Sequence, residues 1–115
     1  IEISLYETQQ YDLLTLVQVG GWTQGLYRIC TLINANYSAE KTEIVDQKGI
    51  LANIIYNYSM IGNQEIQSRE WYSTIQDNYL KIEDVVKNNT EKTFTKAQIN
   101  TLMELANNVN KAMHQ

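Results

Sequence analysis

Cys30 and His114 are the residues of this sequence most able to perform catalysis or bind a transition metal, and the chain has one of each type. A zinc site needs several Cys and His ligands in close sets, and a nucleophilic triad needs a base beside the attacking side chain. His114 is the penultimate residue, and Cys30 lies in an apolar run where a thiol acts as a small hydrophobic group. The sequence therefore predicts no catalytic residue and no metal site of this type.

Carboxylates are the second candidate for metal chemistry, because helical bundles can hold metal ions between inward-facing Glu side chains. Glu40, Glu43 and Asp46 recur every three residues and would share one side of a helix. That side lies opposite the predicted apolar stripe and next to Lys41 and Lys48, which is typical of a solvated surface. We therefore expect no metal and no cofactor.

Glycines supply the nearest approach to a nucleotide-binding motif, in Gly20-Gly21 followed by Gly25. The motif lacks both the preceding strand pattern and the lysine of a phosphate-binding loop. We interpret these glycines as packing positions, with Gly21 and Gly25 forming a flat patch against a neighbouring helix. Because no other catalytic pattern is present, we predict that the chain is not an enzyme.

Aromatic side chains are the remaining feature, since eight Tyr and two Trp are too many for the centre of a thin bundle. Tyr and Trp are favoured where one edge is apolar and the other is wet, which includes both the rim of a core and a binding surface. Tyr56 falls off the main stripe of its predicted helix, and Tyr11 lies in an acidic stretch with Glu2, Glu7 and Asp12. The two tyrosines either seal the rim of the core or belong to a recognition face, and in the second case we predict that these five residues bind a partner.

The charge distribution limits the kind of partner. The formal net charge is −4, and residues 1–27 contain no Lys or Arg. Nucleic-acid binding depends on clustered Lys and Arg that neutralise phosphates, and no such cluster occurs. No apolar stretch approaches the roughly 18–20 residues that span a bilayer. The sequence predicts a soluble, acidic protein whose partner is another protein, with no nucleic-acid partner and no membrane span.

The residue choice leans toward export to a periplasmic or extracellular location. Many Asn and Gln residues and few charges favour export over a cytoplasmic location. The chain begins at Ile1 rather than Met, so we expect a processed product or an excised segment.

The elements that must position these residues are predicted to be helices. The chain contains no proline, which is excluded from helix interiors but common in β-sandwiches and loop-rich folds. Apolar residues recur every three or four positions over most of the chain. We predict helices over about 39–61, over about 64–86 and from 96 to the C-terminus.

The last predicted helix has the clearest start. Thr95 is its predicted N-cap, and Gln98 completes a capping box. Phe94 can pack on Ile99 as a hydrophobic staple.

The helix over 39–61 has a plausible N-cap in Ser38 and a predicted left-handed end at Gly62-Asn63. Gly49 inside it suggests close packing at that point. Its apolar stripe consists of Ile44, Leu51, Ile55 and Tyr58.

The first third of the chain supports two interpretations. Its early apolar residues fit either a buried strand or a buried helix; they are Leu13, Leu14, Leu16, Val17 and Val19. Residues 22–37 form a helical stripe, and Gly20-Gly21 lies between the two segments. Either two helices meet at the glycines or one helix runs through them, and the absence of proline and of a charged break favours one helix.

These patterns predict a single all-α domain over residues 1–115, an up-and-down antiparallel bundle of four or five helices. We expect a non-enzymatic protein-binding module, such as an exported bacterial accessory or guiding factor, or an inhibitor or immunity-type protein. Two alternatives stay open. One is a structural or assembly subunit of a larger complex. The other is a small-ligand binder with a site between helices, lined by Trp22, Tyr27 and Tyr72.

Overall fold

The computed structural model describes residues 5–114, with side chains from residue 10 onward. Within that range the chain forms helices and no strand. The elements are α1 (Leu5–Ala35), a 3₁₀ helix (Glu40–Val45), α2 (Lys48–Ser59), α3 (Gln64–Gln67), α4 (Glu70–Asn88) and α5 (Lys96–Met113).

The four long helices form an up-and-down bundle, which confirms the predicted fold. α1 packs against α2 and α5, and α4 packs against the same two helices, so α1 and α4 lie diagonally opposite each other. Two hydrogen bonds show that α1 and α2 are antiparallel. Tyr11 Oη donates to Asn57 Oδ1 at 3.3 Å, and Trp22 Nε1 donates to Gln47 Oε1 at 3.0 Å.

The core takes residues from all four long helices, and α4 and α5 each contribute one apolar stripe. Their fully or nearly fully buried hydrophobic residues are Ile75, Tyr79, Ile82 and Val86 in α4, and Ile99, Leu102, Ala106, Val109 and Ala112 in α5. The spacing of three and four residues places each set on one side of its helix. The stripes of α4 and α5 therefore face each other and the other helices of the bundle.

The start of α5 confirms the predicted capping box. Thr95 Oγ1 accepts from the backbone N–H of Gln98 at 3.1 Å, and Gln98 Oε1 accepts from the N–H of Thr95 at 2.8 Å. Phe94 and Ile99 are both buried in the core. Two N–H groups that the helix cannot satisfy internally are thus satisfied at its first turn.

α1 is one continuous helix through Gly20-Gly21, which confirms the interpretation that one helix runs through the glycines. The predicted packing of a neighbouring helix on Gly21 and Gly25 is wrong for this chain, because a Cβ at either position would meet nothing within 4 Å. The neighbouring helix α5 instead approaches α1 closely at Gly20, where a Cβ would lie 3.2 Å from Met113 Cε.

The single helix predicted over 39–61 is wrong. Asp46 and Gln47 leave helical geometry, so the 3₁₀ helix and α2 are separate. Thr42 explains the break, because its hydroxyl accepts the N–H of Phe94 at 2.7 Å and ties the 3₁₀ helix to the start of α5. Consequently Val45 is buried and Ile44 is exposed.

The boundaries of the helix predicted over 64–86 also differ from the prediction. Gly62 does not adopt a left-handed conformation, and Asn63 is extended and caps α3 by accepting the N–H of Ile66 at 3.1 Å. The helix predicted over 64–86 is interrupted at Arg69, whose extended ψ of 138° separates α3 from α4.

A buried polar contact connects the diagonal helices α1 and α4. Tyr79 Oη donates to the carbonyl of Val19 at 2.9 Å and shares a hydrogen bond with Thr23 Oγ1 at 2.5 Å, while Thr23 Oγ1 lies 2.6 Å from the same carbonyl. The ring of Tyr79 also lies against Trp22, with centroids 5.9 Å apart. Because burial removes water as an alternative partner, the two bonds of Tyr79 fix the rotation of α1 relative to α4.

Removing this hydroxyl should destabilise the bundle. We expect Tyr79→Phe to lower the free energy of unfolding by about 1–2 kcal/mol, because a buried hydrogen bond is lost. Tyr56→Phe, at an exposed position, is the control and should change it by less than about 0.5 kcal/mol. Urea denaturation followed by circular dichroism measures both, and equal midpoints for the two variants would contradict the structural role of Tyr79.

Gly49 is open rather than closely packed, which corrects the sequence-based expectation. A Cβ there would meet nothing within 4 Å, and the residue lies in the first turn of α2. We expect Gly49→Ala to raise the free energy of unfolding by about 0.5–1 kcal/mol, through helix propensity and a less flexible unfolded chain. A lower thermal midpoint for this variant would show that position 49 is packed after all.

Candidate functional site

The N-terminal half of α1 buries two polar residues and exposes three large apolar ones. Asp12 and Thr15 are buried, whereas Leu13, Leu14 and Val17 are 60%, 68% and 71% exposed. The sequence-based expectation that the latter three are buried is therefore wrong. The buried stripe of α1 passes through the polar positions, and the helix can bury only one stripe.

The side of the bundle formed by α1 and α2 also lacks charge. Residues 13–27 and 49–64 contain no Asp, Glu, Lys or Arg. We call the surface formed by the outward-facing residues Tyr11, Leu14, Gly21, Gly25, Gly49, Ile50, Tyr56 and Met60 the α1/α2 face. Charged residues are depleted at the centres of protein interfaces, where aromatic residues and Met are enriched. The α1/α2 face has this composition.

The two ends of the α1/α2 face differ in shape. The hydrogen bond between Tyr11 and Asn57 marks one end, and the bond between Trp22 and Gln47 marks the other. The first end carries large exposed side chains, and we call it the bulky end; it consists of Tyr11, Leu14, Tyr56 and Met60. The second end, which we call the glycine end, contains Gly21, Gly25 and Gly49.

A shallow apolar groove of about 130 Å³ lies beside the glycine end. Trp22, Ile29 and Ile44 line it together with Gly25, whose missing side chain leaves it open. An apolar cavity of about 150 Å³ can hold a benzene ring, so a space of this size can accept one apolar side chain.

The predicted partner-binding residues occupy different environments. Tyr11 and Tyr56 are 52% and 62% exposed and lie on the α1/α2 face. Asp12 is 2% exposed, so its carboxylate lies inside the bundle and we leave it out of the surface. Glu2 lies outside the described residues, and Glu7 belongs to α1 but its side chain is outside the described part.

Sequence reasoning missed Leu14, Val17 and Met60 as surface residues. The signal that finds them is the pair of long uncharged runs, 13–27 and 49–64. The hydrophobic character of these three residues alone predicts that they are buried. Only the rotation of each helix in the bundle shows that they face outward.

The residues proposed to line a ligand site do not share one cavity. Trp22 lines the groove beside the glycine end, and Tyr27 lines a separate open groove with Thr31 and Leu32. Tyr72 stacks on Tyr58, with ring centroids 4.7 Å apart.

The chemically reactive groups of the described residues are buried or isolated. Burial raises the pKa of Cys30 to about 12, so its thiol is protonated at neutral pH and is a poor nucleophile. Burial also raises the pKa of Tyr58 and that of Tyr79. Among the residues that the structure describes, no group of three His, Cys, Asp or Glu side chains is placed to hold a metal ion.

Comparisons with other proteins add no further information, because no family model, curated protein or solved structure matches this chain. No helix between residues 5 and 114 combines the length and the hydropathy that crossing a membrane requires.

The buried carboxylate of Asp12 yields a stability prediction. Its Oδ2 atom has no hydrogen-bond partner, and a buried polar atom without a partner is destabilising. We expect Asp12→Asn, which keeps the shape and removes the charge, to raise the free energy of unfolding by about 1 kcal/mol at pH 7. The control is Asp77→Asn at an exposed position of α4, which should have little effect. Chemical denaturation measures the free energy of unfolding of both variants. A destabilised Asp12→Asn variant would mean that the carboxylate makes a favourable contact.

Proposed function

We propose that this chain is a non-enzymatic protein-binding module and that its binding surface is the α1/α2 face. The observation that carries the proposal is the combination of exposed apolar side chains with an absence of charge on one side of the bundle. Contiguous apolar surface on a soluble domain usually marks an interaction site.

The residues of the bulky end support a protein partner in particular. Tyr11 and Tyr56 present large, rigid side chains that combine apolar area with a hydroxyl group. Met60, which is 56% exposed, adds a flexible and polarisable side chain of the kind that adapts to a partner surface. Such residues are enriched in protein interfaces.

The bulky end allows binding to be separated from folding. We expect the double variant Tyr56→Ala/Met60→Ala to lose partner binding at least tenfold, since interface anchors of this kind contribute about 1–2 kcal/mol each. Its thermal midpoint should be close to that of the wild type, because both side chains are exposed. Leu80→Ala, at an exposed apolar position of α4, is the matched control and should bind normally.

The measurement is affinity capture from the source cells with quantitative mass spectrometry, run in parallel with thermal denaturation. Proteins recovered by the wild type and by Leu80→Ala, but not by the double variant, support the proposal. Equal recovery by all three chains contradicts it. A large fall in the thermal midpoint with unchanged recovery would show that Tyr56 and Met60 seal the rim of the core instead.

A further inference from the structure

We propose that the partner of the α1/α2 face is a second copy of this chain, docked across a two-fold axis with each helix antiparallel to its own counterpart. The inference rests on the proposed function, because it names the protein that the face binds. Three properties of the face support it: its area, its lack of charge and the complementary shapes of its two ends.

The available area matches one side of a standard protein interface. Five large apolar side chains of the face are at least half exposed, namely Tyr11, Leu14, Ile50, Tyr56 and Met60. Side chains of this size and exposure each offer on the order of 100 Å². With the uncharged groups between them, the face presents roughly 600–700 Å² per copy, within the range that each partner contributes to a stable complex.

The lack of charge suits a symmetric contact better than a contact with a charged partner. In a two-fold interface the same patch occurs on both sides, so a charge near the axis faces its own copy and repels it. The chain carries a net charge of −4, yet residues 13–27 and 49–64 bring none of it to the face. Two copies can therefore approach through this face without placing like charges opposite each other.

The two ends of the face are complementary in shape. The bulky end has large side chains on both helices, and the glycine end has glycines on both helices, with Ile50 beside Gly49 as its large exposed side chain. Antiparallel docking places the bulky end of one copy on the glycine end of the other, twice. Parallel docking would place bulky end on bulky end and leave the two glycine ends apart.

The register of α1 specifies the contacts near the axis. Leu14 of one copy would oppose Gly25 of the other when the two-fold axis passes close to Val19 and Gly20, which lie midway between these two positions in the helix. Leu14 of one copy then reaches the 130 Å³ groove beside Gly25 of the other. Small residues in a helix allow the close approach that such a contact requires.

Sedimentation velocity over a range of protein concentrations tests the dimer. We expect the wild type to pass from monomer to dimer with a Kd of about 1–50 µM, as an interface of this size without strong anchoring pairs allows. Leu14→Glu should weaken dimerisation at least thirtyfold, because it moves a carboxylate from water into the uncharged groove beside Gly25 of the other copy. Leu80→Glu, on the diagonally opposite helix, should dimerise like the wild type. Circular dichroism confirms that both variants are folded.

Cysteine cross-linking tests the orientation. A mixture of Leu14→Cys and Gly25→Cys chains should cross-link with a short bismaleimide far more than either variant alone. The buried Cys30 of the wild type serves as the blank. Efficient cross-linking of Leu14→Cys to itself would overturn the antiparallel arrangement.

The outcomes separate this inference from the proposed function. A wild type that stays monomeric at all concentrations, or a Leu14→Glu variant that dimerises as well as Leu80→Glu, overturns the symmetric dimer. Suppose that the dimer is overturned in this way, but the Tyr56→Ala/Met60→Ala variant fails to capture a protein that the wild type captures. The α1/α2 face then binds a different protein, and only the dimer proposal is wrong. If that variant retains its captured proteins and the wild type is monomeric, both proposals fail.

Discussion

A helix at the corner of a bundle can bury only one stripe of its side chains, and this constraint on α1 determines the rest of the structure. The stripe is held in register by the hydroxyl of Tyr79 in α4, which donates to the carbonyl of Val19 and contacts the hydroxyl of Thr23. Rotating α1 to bury Leu14 and Val17 would separate Tyr79 from both groups and leave its buried hydroxyl without a partner. The apolar outer surface of α1 is thus a consequence of the polar contact at its centre.

Local signals in the sequence were sufficient where a helix start depends on neighbouring residues alone. The capping box of Thr95 and Gln98 involves groups three residues apart, so it was predictable. The break before α2 was not, because it depends on the bond between Thr42 and Phe94, which are far apart in the chain. The helical spacing of apolar residues continues across that break, because the 3₁₀ helix and α2 both keep it, and the sequence therefore predicted a single helix.

The candidate surface was predictable in part for a related reason. The sequence identified Tyr56 from its position off the apolar stripe of its predicted helix and Tyr11 from its place in the acidic N-terminal stretch, and both are exposed. It also assigned Asp12 to the surface on the basis of charge, although the structure buries this residue. Hydrophobicity alone predicts burial for Leu14, and only the register of α1 reverses that expectation. The rotation of one helix decides which of its residues can meet a partner.

The same register explains why recognition through this face depends on shape. With no charged group between residues 13 and 27 or between 49 and 64, the face has little electrostatic field to accelerate or select association. Affinity must come from the burial of apolar area, at about 25 cal/mol per Å², and from the fit of large side chains against glycines. Ionic strength therefore has little influence on the contact itself, since screening acts on charges that the face does not contain. A surface of this kind distinguishes partners by shape, and the proposed antiparallel dimer would meet this requirement by placing the large side chains of one copy on the glycines of the other.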